Sequence, residues 1–168
     1  MSEVVLETKR LILRCQKEQD LNFLLALWTD NEVTKYVGGP REKAKLIDSF
    51  NEVQINKEDK YDLWYVVLKE SAETIGMAGL LQKEIESESH YEVSFFIDRK
   101  YWNNGYATEI AEAIVLHHRN SDGIKTFVAI VDKENVSSIN VAQKIGMTYW
   151  KSVTRIDVEK EIYKVEYE

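Results

Sequence analysis

The chain has 168 residues, of which 44% are hydrophobic and 30% are charged, and its net charge at pH 7 is −7. This length predicts a single domain, residues 1–168, that can bury a core of its own. The acidic balance argues against a nucleic-acid partner, whose phosphates need a basic surface, and it is compatible with a cationic substrate.

Features of export or membrane insertion are missing from the sequence pattern. No apolar run is long enough to cross a bilayer, and the opening residues MSEVVLETKRL contain no apolar core of a signal peptide. The single cysteine, Cys15, excludes an intrachain disulfide. We therefore expect a cytoplasmic protein without a membrane partner.

The first third of the chain predicts one strand followed by helices. Residues 10–15, RLILRC, alternate between apolar and polar side chains, as in a half-buried strand. Apolar residues then recur at helical spacing in two stretches, separated by a loop around Pro40. They are Leu21, Leu24, Leu25 and Trp28, and later Leu46, Ile47, Phe50 and Val53.

The pattern then changes to that of a three-stranded meander. Residues 61–69, 74–83 and 91–98 are rich in β-branched and aromatic side chains, and short polar stretches separate them. The connection between the second and third strands is predicted at residues 86–89, ESES.

The second half predicts a β-α-β unit and two closing strands. A helix over 108–119, with Gly123 as a left-handed cap, precedes a nearly all-apolar strand at 125–131 that is typical of a buried parallel strand. A short helix ending at Gly146 and strands near 147–154 and 161–167 complete the chain. Ligands of open sheets bind at the carboxyl ends of strands, where residues 99–108 lie.

The stretch YWNNGYATEIA, residues 101–111, places a small flexible loop before that helix. Helix N-termini carry free amides and a partial positive charge, and Gly105 and Ala107 would let a phosphate approach the backbone. A structural turn explains the same short pattern equally well.

The wider pattern resembles a known family. The segments WNNGYATE, YEVSFFID and DKENVSSINVAQKIGM are similar to those of the GNAT superfamily of N-acetyltransferases, in particular the ribosomal-protein alanine N-acetyltransferase branch. The resemblance implies a mixed α/β three-layer fold. Its central sheet would have about seven mostly antiparallel strands, one parallel β-α-β unit and helices on both faces.

The resemblance also implies acetyl-CoA as co-substrate and a set of binding residues. The backbone amides of the loop and first helical turn would hold the pyrophosphate, the end of the third meander strand would flank the pantetheine, and the later helix would face the thioester. These residues are Asn103, Asn104, Gly105, Tyr106, Ala107 and Thr108; Phe96, Ile97 and Asp98; and Asn135 and Ser138.

Two positions depart from the commonest family pattern. Trp102 stands where many members have Arg or Gln, which the ribosomal-type branch tolerates. Ala142 replaces the tyrosine that protonates the leaving thiolate in many members. Ser138 or water would then supply that proton.

The chemistry points to a carboxylate base. Deprotonating an α-amine at pH 7 costs about 1 kcal/mol, and a lysine amine costs about 4.6 kcal/mol. Glu92 is the leading candidate, and it matches a glutamate of the family. A solvated carboxylate on the outer face of the strand explains Glu92 equally well, and Glu73 and Glu88 are weaker alternatives.

The sequence leaves the acceptor amine open. A protein N-terminus, for example of a ribosomal protein, is favoured. A small polycationic amine such as a polyamine or aminoglycoside is the alternative. An acyl-CoA-binding module without activity is the third possibility.

The three histidines, His90, His117 and His118, have no metal-ligand spacing, so no metal is expected. A monomer or a homodimer is compatible with the sequence.

Overall fold

A computed structural model describes residues 4–55 and 61–168. Eight strands and five α-helices alternate along this part of the chain. In chain order they are β1 (Val4–Glu7), β2 (Leu11–Arg14), α1 (Leu21–Thr29), α2 (Asn31–Thr34), α3 (Lys43–Ile55), β3 (Leu63–Leu68), β4 (Thr74–Ile85), β5 (Glu88–Ile97), α4 (Tyr106–Asp122), β6 (Thr126–Asp132), α5 (Val136–Lys144), β7 (Thr148–Arg155) and β8 (Val158–Glu166). No helix in the described ranges is long and apolar enough to span a membrane.

The strands form one sheet with the order β1-β2-β3-β4-β5-β6-β8-β7. All neighbouring pairs are antiparallel except β5 and β6, which are the parallel pair expected from the β-α-β unit. The antiparallel ladder between β4 and β5 runs from Gly76 opposite Ile97 to Ile85 opposite Glu88. In contrast, β5 and β6 share a single register pair, Glu92 opposite Val128. The sheet is therefore held together weakly at its centre.

Helices cover both faces of the sheet, as predicted. In β3, Trp64 and Val66 belong to the large core that α4 completes with Ile110, Ala111 and Ile114. Tyr65, which lies between them, belongs to a second core formed with α1 and α3. Since side chains alternate across a strand, these two cores lie on opposite faces.

A third, small core shows that the sheet curls. Buried Ile85 of β4 packs with Val128 of β6 and Ile162 of β8, and Trp150 and Val153 of β7 cover them. In the sheet order, β4 and β7 are separated by three strands. Contact between them requires strong curvature, which makes the face around β5 and β6 concave.

The structure corrects three details of the predicted elements. Strand β1 was not predicted, because in this four-residue strand only Leu6 is buried and no alternation develops. The connection predicted at 86–89 is only the tight turn Glu86–Ser87, where both residues have positive φ of 50° and 68°. Helix α4 begins at Tyr106, two residues before the predicted start. Gly123 ends it with a φ of 66°, which confirms the left-handed cap.

Candidate active site

The loop between β5 and α4 is tightly wound. Its first residue, Asp98, accepts a hydrogen bond from the Lys100 amide at 3.0 Å, and the Trp102 indole donates to the Ile97 carbonyl at 2.7 Å. The Asn104 side-chain amide donates to the carbonyls of Tyr101 and Trp102 at 3.0 and 2.9 Å. These side chains thus bind backbone groups of the loop and of the end of β5.

The first turn of α4 presents backbone amides to solvent. Its N-cap is Gly105 in the left-handed conformation (φ 78°), and no side chain caps the helix. The first amide bonded within the helix is that of Glu109, which donates to the Gly105 carbonyl at 3.1 Å. The amides of Tyr106, Ala107 and Thr108 therefore remain available, and the helix dipole makes them suited to an anion.

Asn103 also adopts a left-handed conformation, with a φ of 61°. The loop therefore reverses direction twice, at Asn103 and at Gly105, immediately before the helix. Turn conformations of this kind can direct successive amides toward one concavity, which is a common way to bind phosphate groups.

A network centred on Arg10 ties this loop to the start of the sheet. The Arg10 guanidinium donates from Nε to Glu109 Oε2 at 2.6 Å and from Nη1 to the Asn104 carbonyl at 3.0 Å. It also lies 4.5 Å from the centre of the Tyr106 ring. The Thr8 hydroxyl and the Arg10 amide donate to Glu109 Oε1. Burial favours a raised pKa for Glu109, but hydrogen bonds from Thr8 and Arg10 lower it overall.

At the end of β5, the main-chain groups divide between the two neighbouring strands. The Asp98 amide donates to the Ile75 carbonyl at 2.8 Å, on the β4 side. Because successive amides of a strand point to opposite sides, the Ile97 amide points toward β6.

The Phe96 ring lies on the face of α1, 4.5 Å from the centre of the Trp28 ring. Trp28 also donates from its indole to the Met77 sulfur at 3.4 Å, so it packs against the sheet.

Glu92 lies on β5 at the point where β5 and β6 pair, and it is half-buried. Burial raises the pKa of Glu92 above its ordinary value, although the positive charges of Lys83 and Arg155 and hydrogen bonds from the Ile130 amide and Ser94 oppose this rise. A carboxylate with a raised pKa is a better proton acceptor near neutral pH, which is the property that a general base needs.

The two alternative carboxylates have different surroundings. Glu73 lies in the turn before β4, where a hydrogen bond from Ser71, others from Tyr101 and Lys100, and the charge of Lys100 lower its pKa. Glu88 has a side chain that is 78% exposed. Neither has the burial that makes Glu92 a stronger base.

Asn135 and Ser138 lie at the start of α5, which follows the carboxyl end of β6. Asn135 is the N-cap of this helix, and its side-chain oxygen accepts a hydrogen bond from the Ser138 amide at 3.2 Å. Both residues are half-buried. The α4 and α5 N-termini thus lie at the same end of the parallel pair, since each helix follows one of its two strands.

A bridge of hydrogen bonds that the sequence does not predict spans the concave face. The Lys160 ammonium of β8 donates to Asp132 Oδ2 at 3.0 Å and to the Tyr36 carbonyl, beyond α2, at 2.9 Å. The Lys160 and Asp132 side chains are both partly buried. No local pattern signals this bridge, because its three residues are far apart in the sequence.

The family of the chain follows from comparison with known proteins. Residues 10–148 match the acetyltransferase (GNAT) domain family. The chain belongs to the GNAT acetyltransferases. This match covers both strands of the parallel pair, the loop before α4 and the whole of α5, so the candidate site lies within the matched region.

Individual relatives are similar to nearly the whole chain. An uncharacterized protein of Bacillus subtilis, YkkB, is 31% identical over 161 residues, which are 95% of this chain and 94% of YkkB. Two solved structures share the fold: the ribosomal L7/L12 alpha-N-protein acetyltransferase RimL in complex with coenzyme A, and the spermidine N-acetyltransferase of Vibrio cholerae in complex with CoA and spermine. RimL superposes with a TM-score of 0.77 at 16% identity and 98% coverage of both chains. The Vibrio enzyme superposes with a TM-score of 0.77 at 14% identity, with 95% and 96% coverage. At these identities the two structures show the shared fold alone.

Within this GNAT fold, two residues considered in the sequence analysis have defined places. Ala142 is only 2% exposed and belongs to the main core. Cys15 is exposed after β2. Among the described residues, no group of three or more His, Cys, Asp or Glu side chains could hold a metal ion.

Proposed function

We propose that this GNAT protein transfers an acetyl group from acetyl-CoA directly to a primary amine, without a covalent acetyl-enzyme. The observation that carries the proposal is the combination of two features, one beyond the carboxyl end of β5 and one where β5 pairs with β6. These are the free amides of the α4 N-terminus beside Gly105, and a half-buried carboxylate, Glu92, where β5 and β6 pair.

The loop and first turn of α4 fit a diphosphate. The amides of residues 103–108 would hold it, with Gly105 and Asn103 in the left-handed conformations that direct amides toward one concavity. Acetyl-CoA would supply the acetyl group as a thioester when bound. Phe96 and Ile97 would flank its pantetheine arm, and the Ile97 amide would polarise the thioester carbonyl. Asp98 would contribute by holding the loop, because its amide and carboxylate already have partners.

Glu92 would act as the general base. The amine must lose a proton before it attacks, and Glu92 would accept that proton, directly or through one water molecule. Its raised pKa makes this transfer from an ammonium group less unfavourable than transfer to an ordinary carboxylate.

Asn135 and Ser138 would position the thioester from the β6 side. The Asn135 oxygen is engaged in the α5 cap, so its NH2 group is the part that faces a ligand. The Ser138 hydroxyl would donate a proton to the departing thiolate, a role for which Ala142 has no suitable group.

The acceptor we favour is a protein or peptide N-terminus, for example that of a ribosomal protein. The α-amine is the easier acceptor, because its deprotonation at pH 7 costs about 1 kcal/mol. RimL, whose fold is shared, is an alpha-N-protein acetyltransferase. A small polycationic amine is the second candidate, since the spermidine N-acetyltransferase of Vibrio cholerae shares the fold equally well.

The test combines binding with turnover. Calorimetry with coenzyme A should show saturable binding, and thiol release from acetyl-CoA should depend on an added amine. Glu92→Gln should lower kcat/KM, and the loss should shrink at high pH, where the amine is already neutral. A loss that does not change with pH rejects Glu92 as the base. Binding without turnover on any peptide, polyamine or aminoglycoside supports a non-catalytic acyl-CoA-binding module instead.

The role of Asn135 needs a control for its cap. Asn135→Ala removes both the cap and the NH2 donor, whereas Asn135→Ser keeps a capping oxygen. We expect both variants to lose kcat/KM, and only Asn135→Ala to lose about 1 kcal/mol of stability. Full activity of Asn135→Ser would refute the positioning role.

A further inference from the structure

The concave face around Glu92 carries two cationic side chains that the proposed reaction does not use. Leu81 of β4 pairs with Glu92, and Lys83 lies two residues further along β4, so Lys83 and Glu92 share a face. On the other half of this concave face, Val153 of β7 pairs with Lys160, and Arg155 lies two residues beyond Val153. Arg155 therefore points to the same face as Lys160.

Arg155 reaches across the curled sheet to the β4–β5 hairpin. Its guanidinium donates a hydrogen bond to the Glu84 carbonyl, one residue beyond Lys83. This contact brings Arg155 beside Lys83, and both positive charges act on the Glu92 carboxylate. Two cations, one from each half of the sheet, thus act on Glu92.

The other cations of this face have carboxylate partners, whereas these two do not. Lys160 pairs with Asp132 at 3.0 Å, Lys164 pairs with Glu166 at 2.9 Å, and Lys151 pairs with Glu86. Within residues 4–55 and 61–168, no carboxylate oxygen lies within 4.0 Å of Lys83 or Arg155. Both charges act on the Glu92 carboxylate, whose negative charge is lost when it accepts a proton. The face then carries two uncompensated positive charges.

We propose that the acceptor is an amine that carries an anionic group, a carboxylate or a phosphate, close to the reacting nitrogen. This inference rests on the proposed function, because it takes Glu92 to mark the place of the amine. Diagonal neighbours on adjacent strands have Cα atoms about 7–8 Å apart, and an extended peptide advances about 3.3 Å per residue. In a peptide acceptor, the anionic group therefore belongs to the second or third residue.

The local charges oppose the expectation from the whole chain. A net charge of −7 favours a polyamine at long range. At physiological salt, however, charges more than about 8 Å apart in solvent are largely screened. An acceptor bound on the concave face therefore interacts more strongly with Lys83 and Arg155 than with the distant acidic residues. A polyamine would bring its own positive charges close to these two cations.

The experiment compares hexapeptides that begin with alanine and differ only at positions two and three, which are Asp-Glu, Ala-Ala or Lys-Lys. Spermidine and phosphoethanolamine are the small-molecule probes. We expect kcat/KM for the Asp-Glu peptide to exceed that for the Lys-Lys peptide by about tenfold or more at low salt, with the ratio falling as salt rises. Lys83→Gln and Arg155→Gln should each reduce the ratio, and Lys83→Glu should reverse it.

The control is Lys125→Gln, which removes an exposed lysine before β6 and should leave the ratio unchanged. Circular dichroism checks that Arg155→Gln, which loses the contact to Glu84, remains folded; Lys83→Gln serves if it does not. A preference for phosphoethanolamine over every peptide supports an acceptor with an anionic group, and it indicates that this acceptor is a small molecule.

Two outcomes overturn the inference in different ways. Acetylation of all peptides at equal rates, or a preference for the Asp-Glu peptide that survives both Lys83→Gln and Arg155→Gln, refutes the role of the two cations and leaves the proposed function standing. Bound coenzyme A without acetylation of any amine refutes the proposed function, and the inference fails with it.

Discussion

Arg10 offers the sharpest test of how the loop before α4 is held. Arg10→Gln removes the charged contact to Glu109 at 2.6 Å, the hydrogen bond to the Asn104 carbonyl and the contact with the Tyr106 ring at 4.5 Å. The Arg10 side chain is 42% exposed, so solvent weakens each of these interactions. A partly exposed hydrogen bond and an exposed cation–π contact contribute about 0.5–1 kcal/mol each.

Two of these contacts act on the loop itself, through Asn104 and Tyr106. Their loss should remove about 1–2 kcal/mol of loop ordering, which binding must then supply. Since 1.4 kcal/mol corresponds to a factor of ten, KM for acetyl-CoA should rise about 5- to 30-fold, with a smaller change in kcat. Steady-state kinetics and calorimetry with coenzyme A measure these changes.

The matched control for Arg10 is Lys9→Gln, which removes a neighbouring exposed cation. It should change KM for acetyl-CoA less than twofold, because one remote surface charge has little effect on binding. Arg10→Lys keeps the charge without the planar fork and should lie between the two. An unchanged KM for Arg10→Gln, in a protein whose thermal stability has fallen, would show that Arg10 supports the fold and not the loop.

Three further changes test other parts of the structure. Burial raises the pKa of Glu92 in the folded protein, so the wild type should lose stability as pH rises from about 4.3 toward that raised pKa. Glu92→Gln should therefore gain stability relative to wild type across that window in urea unfolding, and a pH-independent difference contradicts the assignment. Asp20→Ala should cost about 3–5 kcal/mol in the same assay, because Arg14 and Asp20 form a two-pronged ion pair with side chains only 12% and 3% exposed; a cost below 1 kcal/mol argues against it. Gly79→Ala should destabilise the protein by about 1–3 kcal/mol, because the new Cβ would lie 1.8 Å from the Asp62 carbonyl, and an unchanged melting temperature refutes that close approach.

The sequence predicted those parts of the fold that depend on local pattern. The alternation in residues 10–15 predicted a strand that contains all of β2. The apolar run at 125–131 predicted β6 with an offset of one residue at each end. The polar residues 88–90 were not predicted as part of a strand, yet they belong to β5, because its ladder with β4 extends through them. Register across a long hairpin is a non-local property, which the composition of a short stretch does not encode.

The family resemblance predicted which residues form the site. It did not predict that some of these residues also stabilise the fold. Asn135 was predicted as a ligand-facing residue, and the structure also makes it the N-cap of α5. Asp98 was predicted beside the pantetheine, and its polar groups hold the loop and the β4 edge. Capping depends on where a helix begins, and helix boundaries are the least predictable part of a sequence.

Charge shows most clearly why the site needs three-dimensional information. The count over the whole chain is acidic, and it favours a cationic acceptor. The curl of the sheet nevertheless brings Arg155 of β7 to the hairpin that carries Lys83, although the two residues are 72 positions apart. Both charges act on Glu92, which lies at the one register pair of β5 and β6, between the two halves of the curled sheet. The curl of the sheet, which only the three-dimensional structure shows, thus determines which charges act on Glu92.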